Sequence, residues 1–169
     1  MPNQLFPKPS HDHGTCVEGA IARARQVCET RGIRLTALRE AVLRVLTGSH
    51  KALGAYEIID KMTEQGRRLA PISVYRIIDV LVEAGLVHRL ESKNAFFACL
   101  SRHENTASMV VLLCEACHRV AETEAGRLGR DQGHYAGYRL FRFSNRSGDP
   151  GPMPRLPQAS ASGRVSVTA

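Results

Sequence analysis

Apolar residues recur along the first half of the chain at helical spacing. Val17, Ile21, Ala24 and Cys28 fall at i, i+4, i+7 and i+11, one face of a helix, and Gly32 stops it. Thr36 is placed to cap a second helix carrying Leu38, Val42, Val45 and Leu46, which ends at Gly48-Ser49. A third helix spans roughly 54–65, with Tyr56, Ile58, Ile59 and Met62, and Gly66 closes it. Pro71 suits the first turn of a fourth, since a first-turn N–H has no intrahelical partner to lose; this helix runs to Ala84, with Gly85 beyond it. The period then changes. Residues 86–91 and 95–100 read as two strands around a polar Ser92-Lys93-Asn94 turn. A second β-rich segment begins near Ala107.

Three helices followed by a β-hairpin are the order of a winged helix-turn-helix. The fold class expected is therefore α+β: an N-terminal winged helix-turn-helix and then a small β-rich part. The expected boundaries are a polar tail over 1–14, a winged-helix domain over 15–100, a β-rich part over 101–143 that contains the cysteine pair, and a disordered tail over 144–169. That last stretch holds four of the eight prolines and almost no large apolar residues. In the first tail, His11 and His13 flank Asp12 and are read as tail residues rather than ligands.

The fourth helix is the one suited to reading DNA. At 100° per residue Val74, Ile77, Ile78 and Leu81 share a face, while Arg76, Asp79 and Glu83 lie opposite and Ser73 and Tyr75 flank them near the N-terminus. A recognition helix offers its N-terminal outward side chains to base edges. Arg76 can fork onto a guanine's O6 and N7, and Ser73 and Tyr75 can reach phosphate or base. Asp79 and Glu83 repel phosphate, so only the first turn enters the groove.

Charge supports an anionic partner by its distribution. The formal net charge is +7. Residues 21–93 carry 13 basic and 8 acidic side chains, and residues 125–169 carry seven Arg against Asp131 and Asp149. No run approaches the roughly 20 apolar residues of a membrane span, and the first residues lack the apolar core of a signal peptide, so a cytoplasmic protein is expected. The chain has no Trp and 5% aromatic residues, which disfavours aromatic platforms for sugars or large cofactors.

Five cysteines without an export signal argue against a disulfide framework. Cys114-Glu-Ala-Cys117 is either a redox pair or half of a zinc site. The redox reading needs a strand feeding a helix; here Val110 to Leu113 precede the pair and no amphipathic helix follows, which favours metal. A second constellation comes from the hairpin. With a two-residue turn at Lys93-Asn94, His88 faces Cys99, with Cβ atoms about 4.5–5.5 Å apart. An imidazole and a thiolate so placed can share one zinc at about 2.0–2.3 Å. His103 follows the strand, and Glu122 lies on the chain leaving the cysteine knuckle; these complete the candidate set.

Several motifs resemble the ferric uptake regulator superfamily, and most closely its zinc uptake regulator branch. They are Arg34-Leu35-Thr36 opening a helix, Ala55-Tyr56-Glu57, Ser73-Val74-Tyr75-Arg76, Val87-His88-Arg89-Leu90-Glu91-Ser92, Asn94-Ala95 and Cys114-x-x-Cys117, over roughly residues 17–124. The iron branch usually carries a His-His-Asp-His cluster before its C-x-x-C; here only His103 and then Asn105 to Met109 occupy that place. The resemblance implies a homodimeric, zinc-responsive repressor of zinc-uptake genes, not an enzyme, binding a palindromic operator in double-stranded DNA. It implies that Tyr56 and Arg76 contact DNA. It implies a sensing zinc site of His88, Cys99, His103 and Glu122, and a structural zinc half-held by Cys114 and Cys117. His103 departs from the commonest spacing. The second C-x-x-C, normally about forty residues downstream, has no counterpart, since no Cys follows Cys117. The resemblance thus makes residues 101–143 a small, incomplete metal-binding and dimerisation domain, and a weakened dimer is expected. The rival readings are an iron- or peroxide-responsive regulator of the same superfamily, and a zinc-binding protein with impaired dimerisation and DNA binding.

Overall fold

The computed structural model describes residues 13–99, 109–114, 117–124 and 138–143. Four helices come first: α1 (His13–Thr30), α2 (Ala37–Ser49), α3 (Ala55–Glu64) and α4 (Pro71–Glu83), with a two-residue strand β1 (Leu53–Gly54) between α2 and α3. The hairpin β2 (Val87–Leu90) and β3 (Ala95–Ala98) follows. The second half contributes β4 (Met109–Cys114), β5 (Val120–Glu124) and β6 (Tyr138–Phe143).

Local chemistry sets the helix ends. Thr36 accepts a hydrogen bond from the Arg39 N–H at 3.4 Å and caps α2. At the start of α3, the Glu57 carboxylate accepts from the Gly54 N–H at 2.7 Å. Pro71 is the first residue of α4, and Gly85 ends it at φ +68°, where its N–H reaches the Val82 carbonyl and the Leu86 N–H reaches that of Leu81. Helix α1 opens at His13, inside the stretch expected to be a polar tail.

The apolar face read from the sequence is the one the helices bury. Ile21, Ala24 and Cys28 of α1, Val42, Val45 and Leu46 of α2, Ile58 and Met62 of α3, and Val74, Ile77, Ile78 and Leu81 of α4 form one core with Phe96 and Val87 of the wing. Three strands make the wing sheet, in the order β1-β3-β2, and all pairs are antiparallel. Strand β1 was not anticipated; two residues at a helix entrance are too short to show a period.

The hairpin register differs from the expectation. Leu90 pairs with Ala95 and His88 with Phe97, and Cys99 donates its N–H to the Leu86 carbonyl at 2.9 Å. The connection is four residues long, because Glu91–Lys93 form a short 3₁₀ turn and Asn94 takes φ 44° to complete it. His88 therefore does not face Cys99 directly. The slip is by two residues, and side chains alternate with period two, so His88 and Cys99 stay on the same face as diagonal neighbours.

Strand β3 is buried along its whole length. Its two faces serve different cores. Phe96 packs among the helices, whereas Phe97 joins Leu90, Val111, Leu113 and Val120 in a second cluster between the wing and the following sheet. That sheet has the order β5-β4-β6, antiparallel throughout, and β6 starts with Tyr138 opposite Cys114. Backbone bonds also tie the two halves: Val120 N–H to the His50 carbonyl at 2.9 Å and Ala52 N–H to that of His118 at 3.4 Å. The expected tails, apart from His13 and Gly14, lie outside the described residues, as does the segment around His103.

Candidate metal centre and nucleic-acid interface

Three donors converge where the wing meets the second sheet. His88 comes from β2, Cys99 follows β3, and Glu122 lies on β5, opposite Val111. Their ligand atoms all lie within 4.8 Å of one another. His88 Nε2 is 3.9 Å from Glu122 Oε1, and the Glu122 side chain is only 1% exposed. Cys99 is buried as well. A tetrahedral zinc with bonds of about 2.0–2.3 Å separates its donors by about 3.3–3.8 Å. The set is thus within a side-chain adjustment of that geometry. A thiolate, a carboxylate and a neutral imidazole carry two negative charges, which suits a dication in a site this dry. His103, the fourth expected ligand, lies outside the described residues.

The surroundings hold these donors in place. The His88 ring lies against Phe97, with centroids 5.3 Å apart and planes 35° apart. Arg23, on α1, donates from Nη2 to the Cys99 carbonyl at 2.6 Å, a contact 76 residues apart in sequence. Neither neighbour was anticipated. Phe97 was readable as a strand residue facing the ligand side, but its role needed the true register. Arg23 left no trace, because one Arg on a half-exposed helix turn resembles any other.

Cys114 and Cys117 flank the β4–β5 connection and are both partly exposed. The Cys114 N–H donates to the Arg119 carbonyl at 2.9 Å, and the His118 N–H to the Cys114 carbonyl at 3.0 Å. His118 sits at φ 58° to close the knuckle. Hydrogen bonds from the Arg119 backbone and then its side chain push the Cys117 thiol down to about 7. A sulfur held this way favours the thiolate, the form that ligates metal. Among the described residues the pair is followed by strand β5 and not by a helix, unlike the βα setting of a redox motif.

The DNA candidates divide by exposure. Arg76 is exposed on α4, and Tyr56 is 69% exposed in the first turn of α3. Ser73 is half-buried. Tyr75 is half-buried too, its ring edge-on to Phe96 at 6.4 Å, so it braces α4 against the wing.

The family model for the ferric uptake regulator family matches residues 30–145. The chain belongs to that family. Its members are metal-responsive transcription regulators, not enzymes. The match runs through β6 and ends 28 residues beyond Cys117. The zinc uptake regulation protein of Escherichia coli (strain K12) is 33% identical over 108 residues, 64% of this chain and 63% of that protein. The chain thus spans under two thirds of that relative's length. Among solved structures, a zinc uptake regulator complexed with zinc and DNA is 31% identical with a TM-score of 0.60, over 69% of this chain and 77% of the other. The holo form of XcZur is 36% identical with a TM-score of 0.55, over 69% and 83%.

Proposed function

We propose that this family member is a zinc-responsive, DNA-binding transcriptional repressor, acting in the cytoplasm as a homodimer on a palindromic operator. The observation that carries the reading is the convergence of His88, Cys99 and Glu122 from both halves of the chain. A bound zinc ion would supply a cross-link between the wing and the second sheet. Cys99 favours zinc over iron as the ion sensed, since a thiolate is a soft ligand. The relatives named as zinc uptake regulators support the same ion.

The residues divide the work. Cys99 and His88 must give up protons to ligate, so apparent metal affinity falls as pH drops. Arg23 fixes the backbone of Cys99, and Phe97 limits the tilt of the His88 ring. Arg76 and Tyr56 face DNA, with Ser73 beside them, while Tyr75 holds the helix that presents them. Cys114 and Cys117 form half of a structural site, and dimerisation is weaker than in relatives with both cysteine pairs.

Titrating zinc, iron(II) or manganese(II) into the purified chain while following operator binding tests the reading. Zinc should tighten binding at lower free concentration than the other two ions, and Cys99→Ser should abolish the effect while the helical core stays folded. Wild-type zinc stoichiometry and wild-type repression in Cys99→Ser would overturn this site.

A further inference from the structure

Two large apolar side chains stand out as exposed among the described residues, Tyr56 at 69% and Ile72 at 60%. Tyr56 already belongs to the proposed DNA face. Ile72 has no role in the core, in the metal centre or in any contact described above. It is the second residue of α4, between Pro71 and Ser73. Residues four apart on a helix share a face, so Ile72 stands one turn N-terminal to Arg76, on the side opposite Val74, Ile77, Ile78 and Leu81. The outward stripe of α4 thus runs Ile72, Arg76, Asp79, Glu83: apolar, cationic, acidic, acidic, all exposed.

That order has a physical consequence in a groove. The two carboxylates repel phosphate and keep the C-terminal half of α4 away from the duplex. The first turn, with Arg76 just behind it, is the part that goes deepest. A branched aliphatic side chain there meets the floor of the major groove. The one apolar group that B-DNA presents on that floor is the 5-methyl of thymine. We propose that Ile72 is a specificity-determining residue that reads a thymine methyl next to the base contacted by Arg76. This rests on α4 being the recognition helix, as the proposed function has it.

The test removes the methyl and nothing else. The full-length, zinc-loaded chain is first used to select its preferred duplex from a random pool. Each thymine of that duplex is then replaced by deoxyuridine, which keeps the hydrogen-bonding edge. Affinity is measured for the wild type, Ile72→Ala, Ile72→Val and Tyr56→Ala. At one or two positions per half-site the wild type should lose about fourfold, the worth of one buried methyl. Ile72→Ala should bind the thymine duplex more weakly and show no further loss with deoxyuridine there. Ile72→Val should retain part of the discrimination, and Tyr56→Ala should keep it in full. Because Ile72 is exposed, its variants should keep the wild-type circular dichroism and zinc content.

The proposal is overturned if no methyl loss is specific to Ile72, if Ile72→Ala weakens cognate and random duplexes equally, or if the variant changes the oligomeric state in sedimentation, which would make Ile72 a protein contact. Zinc-dependent binding that persists in any of these cases leaves the repressor reading standing. A zinc-loaded chain that selects no duplex at all refutes both.

Discussion

Truncating Phe97 should separate the metal centre from the helical core. Phe96 and Phe97 are neighbours on β3, each about fully buried, yet they project into different clusters. Phe97→Ala removes a ring that touches His88 and sits among Leu90, Val111, Leu113 and Val120. A buried Phe→Ala change costs about 3–5 kcal/mol. Most of that loss should fall on the packing of the wing against the second sheet, because the ring belongs to the cluster that joins them and not to the helical core. At 1.4 kcal/mol per decade, a loss of about 3 kcal/mol in the packing that brings Glu122 to the other donors should lower zinc affinity by up to about a hundredfold. Phe96→Ala is the control: the same atoms are lost, but from the helical core. Zinc affinity is measured by competition with a chromophoric chelator, and helix stability by urea denaturation followed by circular dichroism. Phe97→Ala should lower the first far more than the second, and Phe96→Ala the reverse. Equal effects of the two variants on both quantities would refute the two-core account.

Arg76→Ala should cost about 1–3 kcal/mol on cognate DNA without changing zinc content, measured by titration against cognate and random duplexes. Arg23→Ala should weaken zinc binding about tenfold or more through the displaced Cys99 backbone, whereas Arg23→Lys, which can still donate to that carbonyl, should recover most of it; isothermal titration separates the two. Arg44 bridges Glu18 on α1 and Glu40 on α2, and its hydrogen bonds hold both carboxyls below their usual range. A lowered native pKa stabilises the fold above the unfolded carboxylate range and ceases to do so as pH falls through the native value. Arg44→Met should therefore lower Tm slightly at neutral pH, with the gap to wild type closing in acid, as followed by thermal melts.

The helical half was legible because its signals are redundant. Ile21, Ala24 and Cys28 mark a face, Thr36 and Pro71 mark starts, and Gly32 and Gly85 mark ends, so each helix is specified several times over. The hairpin had one weak signal, a polar triplet, which does not distinguish a two-residue turn from a four-residue one. Asn94 in the left-handed region was the clue to the longer connection. The placement of His88 and Cys99 on one face survived that error because a slip by two conserves the face. Glu122 was found through its distance from the cysteine knuckle, although only the pairing of β4 with β5 brings it to His88. Ile72 and Arg23 were invisible for opposite reasons: one looks like core until its exposure is seen, the other like surface until its partner is.

The placement of the donors decides whether metal can act on DNA binding. A ligand shifts an equilibrium only by its differential affinity for the two states. His88 and Cys99 both lie on the wing hairpin, whereas Glu122 is brought to them by β5 of the second sheet. Packing of that sheet on the wing therefore adds a buried carboxylate to the donor set, and a bound metal would favour this packing by whatever that ligand contributes. The same docking fixes the elements proposed to read DNA. His50 and Ala52 bond to Val120 and His118, and Ala52 is four residues before Tyr56. On the other side of β3, Phe96 meets Tyr75 of α4. Strand β3 is thus a common wall, with the candidate metal centre on one face and the helix proposed to read DNA on the other. Glu122→Gln should uncouple the two: a neutral amide can fill the space and preserve the docked packing, but it is a far poorer zinc ligand. If it retained full zinc dependence of operator binding, the differential affinity would have to come from a donor outside this triad, and the coupling through β5 would be wrong.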